Sequence, residues 1–293
     1  MNTRPDPDHW LTREFAPISL EALNRKAAML ERLDNKYVVR APVLEAAAAQ
    51  FVPLFDVLEI DGKRSFTYET CYFDDPARSS YFDHHQGRRQ RMKVRVRRYV
   101  DAGLCFLEVK LKDKRGVTVK KRLRVDDTMF GHLDDTALGF VHQCWQTMYG
   151  RPWTQPLEPV LQMSYRRITL VAREGGERMT IDTGIHFEGQ WAAREERRTD
   201  AEVFILETKS ANGRGIADSV LRTHHQHPTN GCSKYCVGMS LTGAVPRFNR
   251  FRPAMKKLGA WPAPTLGAMP EGLPQPLELP RVRSTAQEMG HVA

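Results

Sequence analysis

Basic side chains stand at every second residue in three stretches: Arg91, Lys93, Arg95 and Arg97; then Lys110, Lys112 and Lys114; then Lys120, Arg122 and Arg124. A β-strand sends alternate side chains to opposite faces. Each basic set therefore shares one face, and residues between them, among them Met92, Val94, Val96, Leu111 and Leu123, share the other. Carboxylates fall on the cationic parity: Glu108 with Lys110, Asp182 with Arg178, and Glu207 with Lys209. Rows of cations broken by single carboxylates suit a polyanion that carries a hard metal ion. Arginine forks two phosphate oxygens, lysine acts as a point charge, and a carboxylate offers oxygen to the metal. The plain alternative is a solvated sheet face, and for Glu207 a simple ion pair with Lys209.

Other chemistries find less support. No Gly-x-Ser-x-Gly elbow is present. Asn212-Gly213-Arg214-Gly215 lacks the third glycine and the Lys-Ser/Thr pair of a phosphate loop and reads as a turn. His224, His225, His227, Cys232 and Cys236 invite a zinc reading, but without a close Cys-x-x-Cys pair the spacing argues against it. The five cysteines are odd in number and irregularly spaced, which disfavours a disulfide framework and predicts buried thiols.

The elements that must position the charged rows follow from periodicity. Helices are predicted over 19–32, 41–51, 127–149, 216–224 and 233–241. Strands are predicted from residue 34 and over 57–60, 65–74, 90–99, 104–112, 117–125, 160–172, 178–186 and 202–209, with a turn-rich excursion at 75–87. About eight alternating strands allow a sandwich or a barrel. Parallel rows of like charge facing bulk water would repel for no gain, whereas around a tunnel they focus potential on a threaded anion. The expected class is therefore α+β: a closed antiparallel barrel, cationic inside, with helices packed on its outer apolar face.

The chain has 293 residues, 41% of them hydrophobic, enough for a sizeable core. A net charge of +9 and a pI near 9.4 favour an anionic partner. No apolar run is long enough to span a membrane, and the polar start has no hydrophobic targeting segment, so a cytoplasmic chain is expected. From Leu258 the sequence turns rich in Pro, Gly and Ala. The expected plan is an N-terminal arm over 1–18, one domain over 19–258, and an extended or disordered tail over 259–293.

An ordered series of short segments resembles the VTC domain. They are Arg32-Leu33-Asp34-Asn35-Lys36-Tyr37, Tyr72-Phe73-Asp74, Arg91 to Arg97, Phe106 to Lys110, Val119 to Arg122, Tyr165-Arg166-Arg167, Arg178 to Asp182, Leu206 to Lys209 and Ser233-Lys234-Tyr235. The VTC domain is the polyphosphate polymerase domain of the vacuolar transporter chaperone family and its bacterial relatives, within the triphosphate tunnel metalloenzymes. The wider superfamily opens with a Glu-x-Glu-x-Lys strand. Here Arg32, Asp34 and Lys36 stand in that place, which resembles the VTC branch rather than an adenylate cyclase or a thiamine triphosphatase.

The resemblance implies a tunnel that binds ATP with Mn²⁺ or Mg²⁺ and transfers its terminal phosphate to a polyphosphate chain. It implies catalytic roles for Lys36, Arg95, Arg97, Lys110, Lys120, Arg167, Arg178 and Lys234, and metal binding by Glu207. Lys93, Arg122 and Lys209, on the same parity, are expected to help hold the ligand. Register leaves Arg166 against Arg167, and Lys120 against Lys121, open by one residue. Glu108 and Asp182 are expected to orient basic side chains. Expected partners are ATP and inorganic polyphosphate, with a separate membrane protein as a further candidate through which the chain would meet a membrane. Nucleic acid is disfavoured because Tyr99 alone makes a poor stacking platform. With water as acceptor the same tunnel would be a triphosphatase or polyphosphatase, and without turnover a polyphosphate binder.

Overall fold

The computed structural model describes residues 8–26, 33–113, 116–190 and 196–260. Arg32, Lys114, and all of the tail beyond Ala260 lie outside them. In chain order the elements are α1 (His9–Thr12), β1 (Ala16–Ile18), α2 (Leu20–Lys26), β2 (Leu33–Arg40), α3 (Ala41–Phe51), β3 (Phe55–Leu58), β4 (Ser65–Asp74), α4 (Ser79–Gln86), β5 (Arg91–Tyr99), β6 (Leu104–Lys112) and β7 (Thr118–Arg124). Then follow α5 (Asp135–Tyr149), β8 (Glu158–Ala172), β9 (Arg178–Gly189), β10 (Glu196–Arg198), β11 (Val203–Ser210), α6 (Ile216–Thr223), α7 (Lys234–Leu241) and α8 (Arg252–Lys257).

Local chemistry sets most boundaries. Pro42 occupies the first turn of α3, where no amide donor is needed. The helix expected from residue 127 begins instead at Asp135, because the Asp134 carboxylate accepts the Ala137 N–H at 2.7 Å, while Asp126 caps only a short 3₁₀ turn. The excursion at 75–87 contains α4. Its first amide, Ser79 N–H, is taken by the Asp75 carboxylate at 2.9 Å, and the next two, Ser80 and Tyr81, by the buried Asp74 carboxylate at 3.0 and 3.1 Å. Gly87, at a φ of 73°, ends it.

The main sheet runs in the order β2-β11-β9-β8-β4-β5-β6-β7, with every neighbouring pair antiparallel. The expected closed barrel does not form, because β2 and β7 end the sheet and do not pair with each other. Two features keep them apart. Strand β7 carries Lys120, Lys121, Arg122 and Arg124, a charged edge of the kind that resists strand addition. On β2, the Lys36 carbonyl is taken by the Thr229 N–H at 2.6 Å, so the segment leading to α7 occupies that edge.

The sheet is an open trough whose outer face is apolar. On one half Cys71, Met92, Val94, Val96, Leu107 and Val109 pack against Ala137, Val141 and Trp145 of α5. On the other, Tyr37, Val39, Ile181 and Leu206 pack under Leu44 and Phe51 of α3 and Leu221 of α6. Each such buried large side chain contributes about 1.5–3 kcal/mol. The expectation of helices outside holds for these three but not for α7, which sits in the trough. Its Tyr235, Val237 and Leu241 join Val38, Tyr72, Met163 and Ile205 in one buried cluster, with α8 behind it. The approach is close enough to require glycine at 238, since a Cβ there would meet Leu161 at 2.5 Å and Phe187 at 2.6 Å.

Candidate functional site

Register converts the alternating pattern into rows on the concave face. Across β4 to β7 one row is Tyr72, Arg95, Glu108, Arg122, and the next is Lys93, Lys110, Lys120. Across β9, β11 and β2 one row is Thr180, Glu207, Lys36, and the next is Arg178, Lys209, Asp34. Arg167 of β8 lies opposite Asp182 of β9. Between Thr183 and His186, β9 carries one residue more than β8, at Gly184 with a φ of 60°. That bulge lets Asp182 face the charged part of the trough while Ile185 and Phe187, of opposite parity, face α7.

Two carboxylates are locked. Glu108, 1% exposed, receives Arg95 Nε at 2.7 Å and Nη2 at 2.6 Å, has Arg97 Nη1 at 3.8 Å, and pairs with Lys120. Burial alone would raise its carboxyl, but Arg95, Arg97 and Lys120 outweigh burial and hold it well below the usual range. Asp182 is fully buried and takes both prongs of Arg167 at 2.6 and 2.7 Å together with Lys234. Burial is again overcome, and its carboxyl falls to about 2. These are the orienting roles expected of Glu108 and Asp182.

Glu207 is held differently. Lys209 Nζ at 3.2 Å and Lys36 Nζ at 3.6 Å both approach its Oε1, and among the described residues no arginine fork grips it. Burial opposes ionisation, but Lys209, Lys36, Arg167 and Lys234 keep it ionised far below the usual glutamate range.

The lysines record how enclosed the trough is. Lys110 is reached by solvent yet surrounded on most sides, and this enclosure pushes its ammonium down to about 8, against the pull of Glu207 across the trough and with the push of Lys36 and Lys93. Lys120 falls to about 8 for the same first reason, offset in part by Glu108. Lys93 donates to Ser233 Oγ at 2.9 Å, tying β5 to the N-cap of α7, and its ammonium is lowered by burial. Lys234, half-buried, is instead raised because Asp182 outweighs desolvation.

The trough therefore gathers Lys36, Lys93, Arg95, Arg97, Lys110, Lys120, Arg167, Lys209 and Lys234. Arg178 aligns with Lys209 at the end away from α7, and Arg122 lies over the Phe106 ring, 5.1 Å from its centroid, on the same side of the site. At the two positions left open by register, the neighbouring basic residues have different partners. Arg167 reaches Asp182 while Arg166 forks onto Asp8 at 2.8 and 3.3 Å, and Lys120 rather than Lys121 pairs with Glu108. Sequence reasoning gave no role to Tyr72, whose hydroxyl accepts from Arg95 at 3.1 Å, or to Ser233. Their shared strand parity and N-cap position were the available signals.

Among the described residues no group of three or more His, Cys, Asp or Glu is arranged to hold a metal ion. Cys232 and Cys236 are buried thiols in the cluster around α7, and His224 meets Gln50 at 2.8 Å. With Glu108 and Asp182 gripped by arginines, Glu207 is the carboxylate whose donor chemistry fits Mn²⁺ or Mg²⁺. One carboxylate suits an ion that draws its remaining ligands from phosphate oxygens and water rather than from a preformed protein cage.

The family described as the VTC domain matches residues 31–242. Among solved structures, a Hippeastrum protein, described as a putative adenylyl cyclase with a dominant triphosphatase activity, is 14% identical at a TM-score of 0.43, over 75% of this chain and 100% of that one. A putative adenylate cyclase of Bacillus halodurans is 13% identical at a TM-score of 0.42, over 69% of this chain and 95% of that one. A Pyrococcus horikoshii protein is 11% identical at a TM-score of 0.35, over 66% and 90%. No curated protein sequence matches the chain. No helix among the described residues is long and apolar enough to cross a membrane.

Proposed function

The chain belongs to the VTC domain family, and on that premise we propose that it is a metal-dependent polyphosphate polymerase, transferring the γ-phosphate of ATP to a growing polyphosphate chain. The observation that supports this most is the convergence of cations from both halves of the sheet and from α7 on one concave face, where Glu108 and Asp182 are held by arginine forks and Glu207 is approached by Lys209 and Lys36. Phosphoryl transfer asks a protein mainly to hold attacking and leaving oxygens in line and to stabilise charge on the equatorial oxygens.

Arg95 and Arg97 on one wall and Arg167 on the other supply planar forks, held in orientation by Glu108 and Asp182. Lys93, Lys110, Lys36 and Lys209 supply point charges that adjust to successive phosphates. Lys234, at the first turn of α7, brings a half-buried charge to the end of the trough. Glu207 would hold Mn²⁺ or Mg²⁺ together with triphosphate oxygens; when bound, such an ion neutralises charge on the transferring group. The acceptor is a phosphate oxygen, already anionic near neutral pH, so no side chain need act as nucleophile. A membrane protein receiving the product remains a candidate partner.

Incubation of the purified chain with ATP and Mn²⁺, followed by gel separation of products, should yield chains of many phosphates that an exopolyphosphatase degrades. Orthophosphate as the sole product would replace this reading with a triphosphatase. One observation favours that second reading: β2 and β7 do not pair, so no strand ladder closes the sheet around the site. ATP bound without turnover would leave a non-catalytic binder.

A further inference from the structure

The trough ends differently on its two sides. At one end α7 packs with Tyr72 and Tyr235, both buried. At the other, the rows beyond Glu108 turn aromatic: Arg97, Phe106 and Arg124 lie side by side across β5, β6 and β7, and Tyr68 and Tyr99 lie side by side across β4 and β5. Tyr68, Tyr99 and Phe106 are each only half-buried. Their ring centroids follow one another at 5.0 Å from Tyr68 to Tyr99 and 5.8 Å from Tyr99 to Phe106, and Tyr165 stacks behind Tyr68 at 5.4 Å. Two consecutive rows are about 7 Å apart along a strand, so the Phe106 and Tyr99 rows stand about 7 and 13 Å beyond the Glu108 row.

We propose that the half-exposed Tyr99 and Phe106 rings form a stacking shelf for the base of the nucleoside triphosphate, so that the nucleotide enters from this end with its phosphates leading toward Lys93 and Lys234. This deepens the proposed function and rests on it. Three features of the shelf argue for a nucleobase. Its rings continue the phosphate-binding rows at the distance where a nucleotide passes from phosphate to sugar and base. Cations border it: Arg122 lies over one face of Phe106 at 5.1 Å and Arg97 over Tyr68 at 5.5 Å, and because Tyr99 meets Phe106 edge-on at 87° a base stacks on one ring and abuts the other, a contact available whatever the base. Among the described residues the opposite direction differs: past Lys93 and Lys110 the next row is Arg91 and Lys112, basic again, which suits further phosphates rather than a base. The shelf thus gives the trough a polarity, with the donor base at the aromatic end and the inorganic chain toward Arg91.

The test compares two probes on the full chain: 2-aminopurine riboside triphosphate, whose fluorescence is quenched by stacking, and inorganic tripolyphosphate, which has no base. Wild-type protein should quench the first probe and bind it more tightly than tripolyphosphate. Phe106→Leu and Tyr99→Leu should each abolish most of the quenching and weaken nucleotide binding on the order of tenfold, with tripolyphosphate affinity unchanged. A circular dichroism melt checks that each variant is folded; should one not fold, the quenching and affinity ratio of the wild type and the other variant carry the test. Tight tripolyphosphate binding with no quenching and no preference for the nucleotide would overturn the shelf while leaving the phosphate site standing. Equal loss of both probes in the variants would also overturn it, marking the rings as structural. Failure of the wild type to bind either probe would overturn the shelf and the proposed function together.

Discussion

The two halves of the sheet solve one electrostatic problem in different ways. In the half formed by β4 to β7, Glu108 sits beneath Arg95, Arg97 and Lys120, and its oxygens are spent on them. In the half formed by β8, β9, β11 and β2 the work is divided: Asp182 is gripped by Arg167 and Lys234, while Glu207 is approached by Lys209 and Lys36, at 3.2 and 3.6 Å. A buried carboxylate in an arginine fork holds the fork's shape, and its loss strands the cations. A carboxylate facing mobile ammonium groups can exchange them for a metal ion. Position in the trough matters less than the kind of cation each acid faces.

Removing the locked acids should produce the largest effect. Asp182→Ala leaves Arg167 and Lys234 half-buried without their partner and should cost about 3–5 kcal/mol in urea denaturation, with Glu108→Ala close behind. Glu207→Ala should cost roughly 1 kcal/mol yet remove metal-dependent turnover. If Glu207→Ala destabilised the chain as much as Asp182→Ala, the distinction between the halves would be lost; if it kept metal-dependent turnover, Glu207 would leave the site.

Arg95→Ala sharpens the comparison from the other half. It should raise the ATP concentration required for half-maximal rate at least tenfold, as the loss of a charge-assisted pair implies, and an unaltered ATP dependence would remove Arg95 from phosphate binding.

The pH profile should separate lysine from arginine contributions. Lys110 and Lys120 are charged below about 8 and lose their protons above it in the free protein. A polyanion binds the charged form, so tripolyphosphate affinity should be flat toward pH 7 and fall as pH rises past 8, by up to roughly tenfold per unit for each lysine. Lys110→Arg should flatten part of that fall. A wild-type profile flat to pH 10 would show that neither lysine contributes.

Much of this arrangement was legible in the residues because strand alternation is a rigid rule: Arg95 had to share a face with Arg97, and Glu108 with Lys110, while the pairing of β5 with β6 that brings the two sets together is set by register. What escaped were features set by distant contacts. Helix α4 was hidden because its first amides are satisfied by Asp75 and Asp74, at the end of β4, while Arg78 at the N-cap position makes no capping bond. Closure of the sheet depended on whether two edges meet, and the claim of the Thr229 segment on Lys36 is invisible in local pattern. The place of α7 inside the trough follows from the fit of Gly238 against Leu161 and Phe187, residues far apart in the chain.

The central claim is that a metal-bound polyphosphate lies between the two walls with Glu207 on its metal. A crystal structure of the chain with tripolyphosphate and Mn²⁺, phased to locate manganese by anomalous scattering, tests it directly. The account predicts one manganese peak bound by a Glu207 oxygen and by phosphate oxygens, with the anion between Arg95 and Arg167. Manganese at Glu108 or Asp182, or an anion lodged on the outer apolar face, would contradict it.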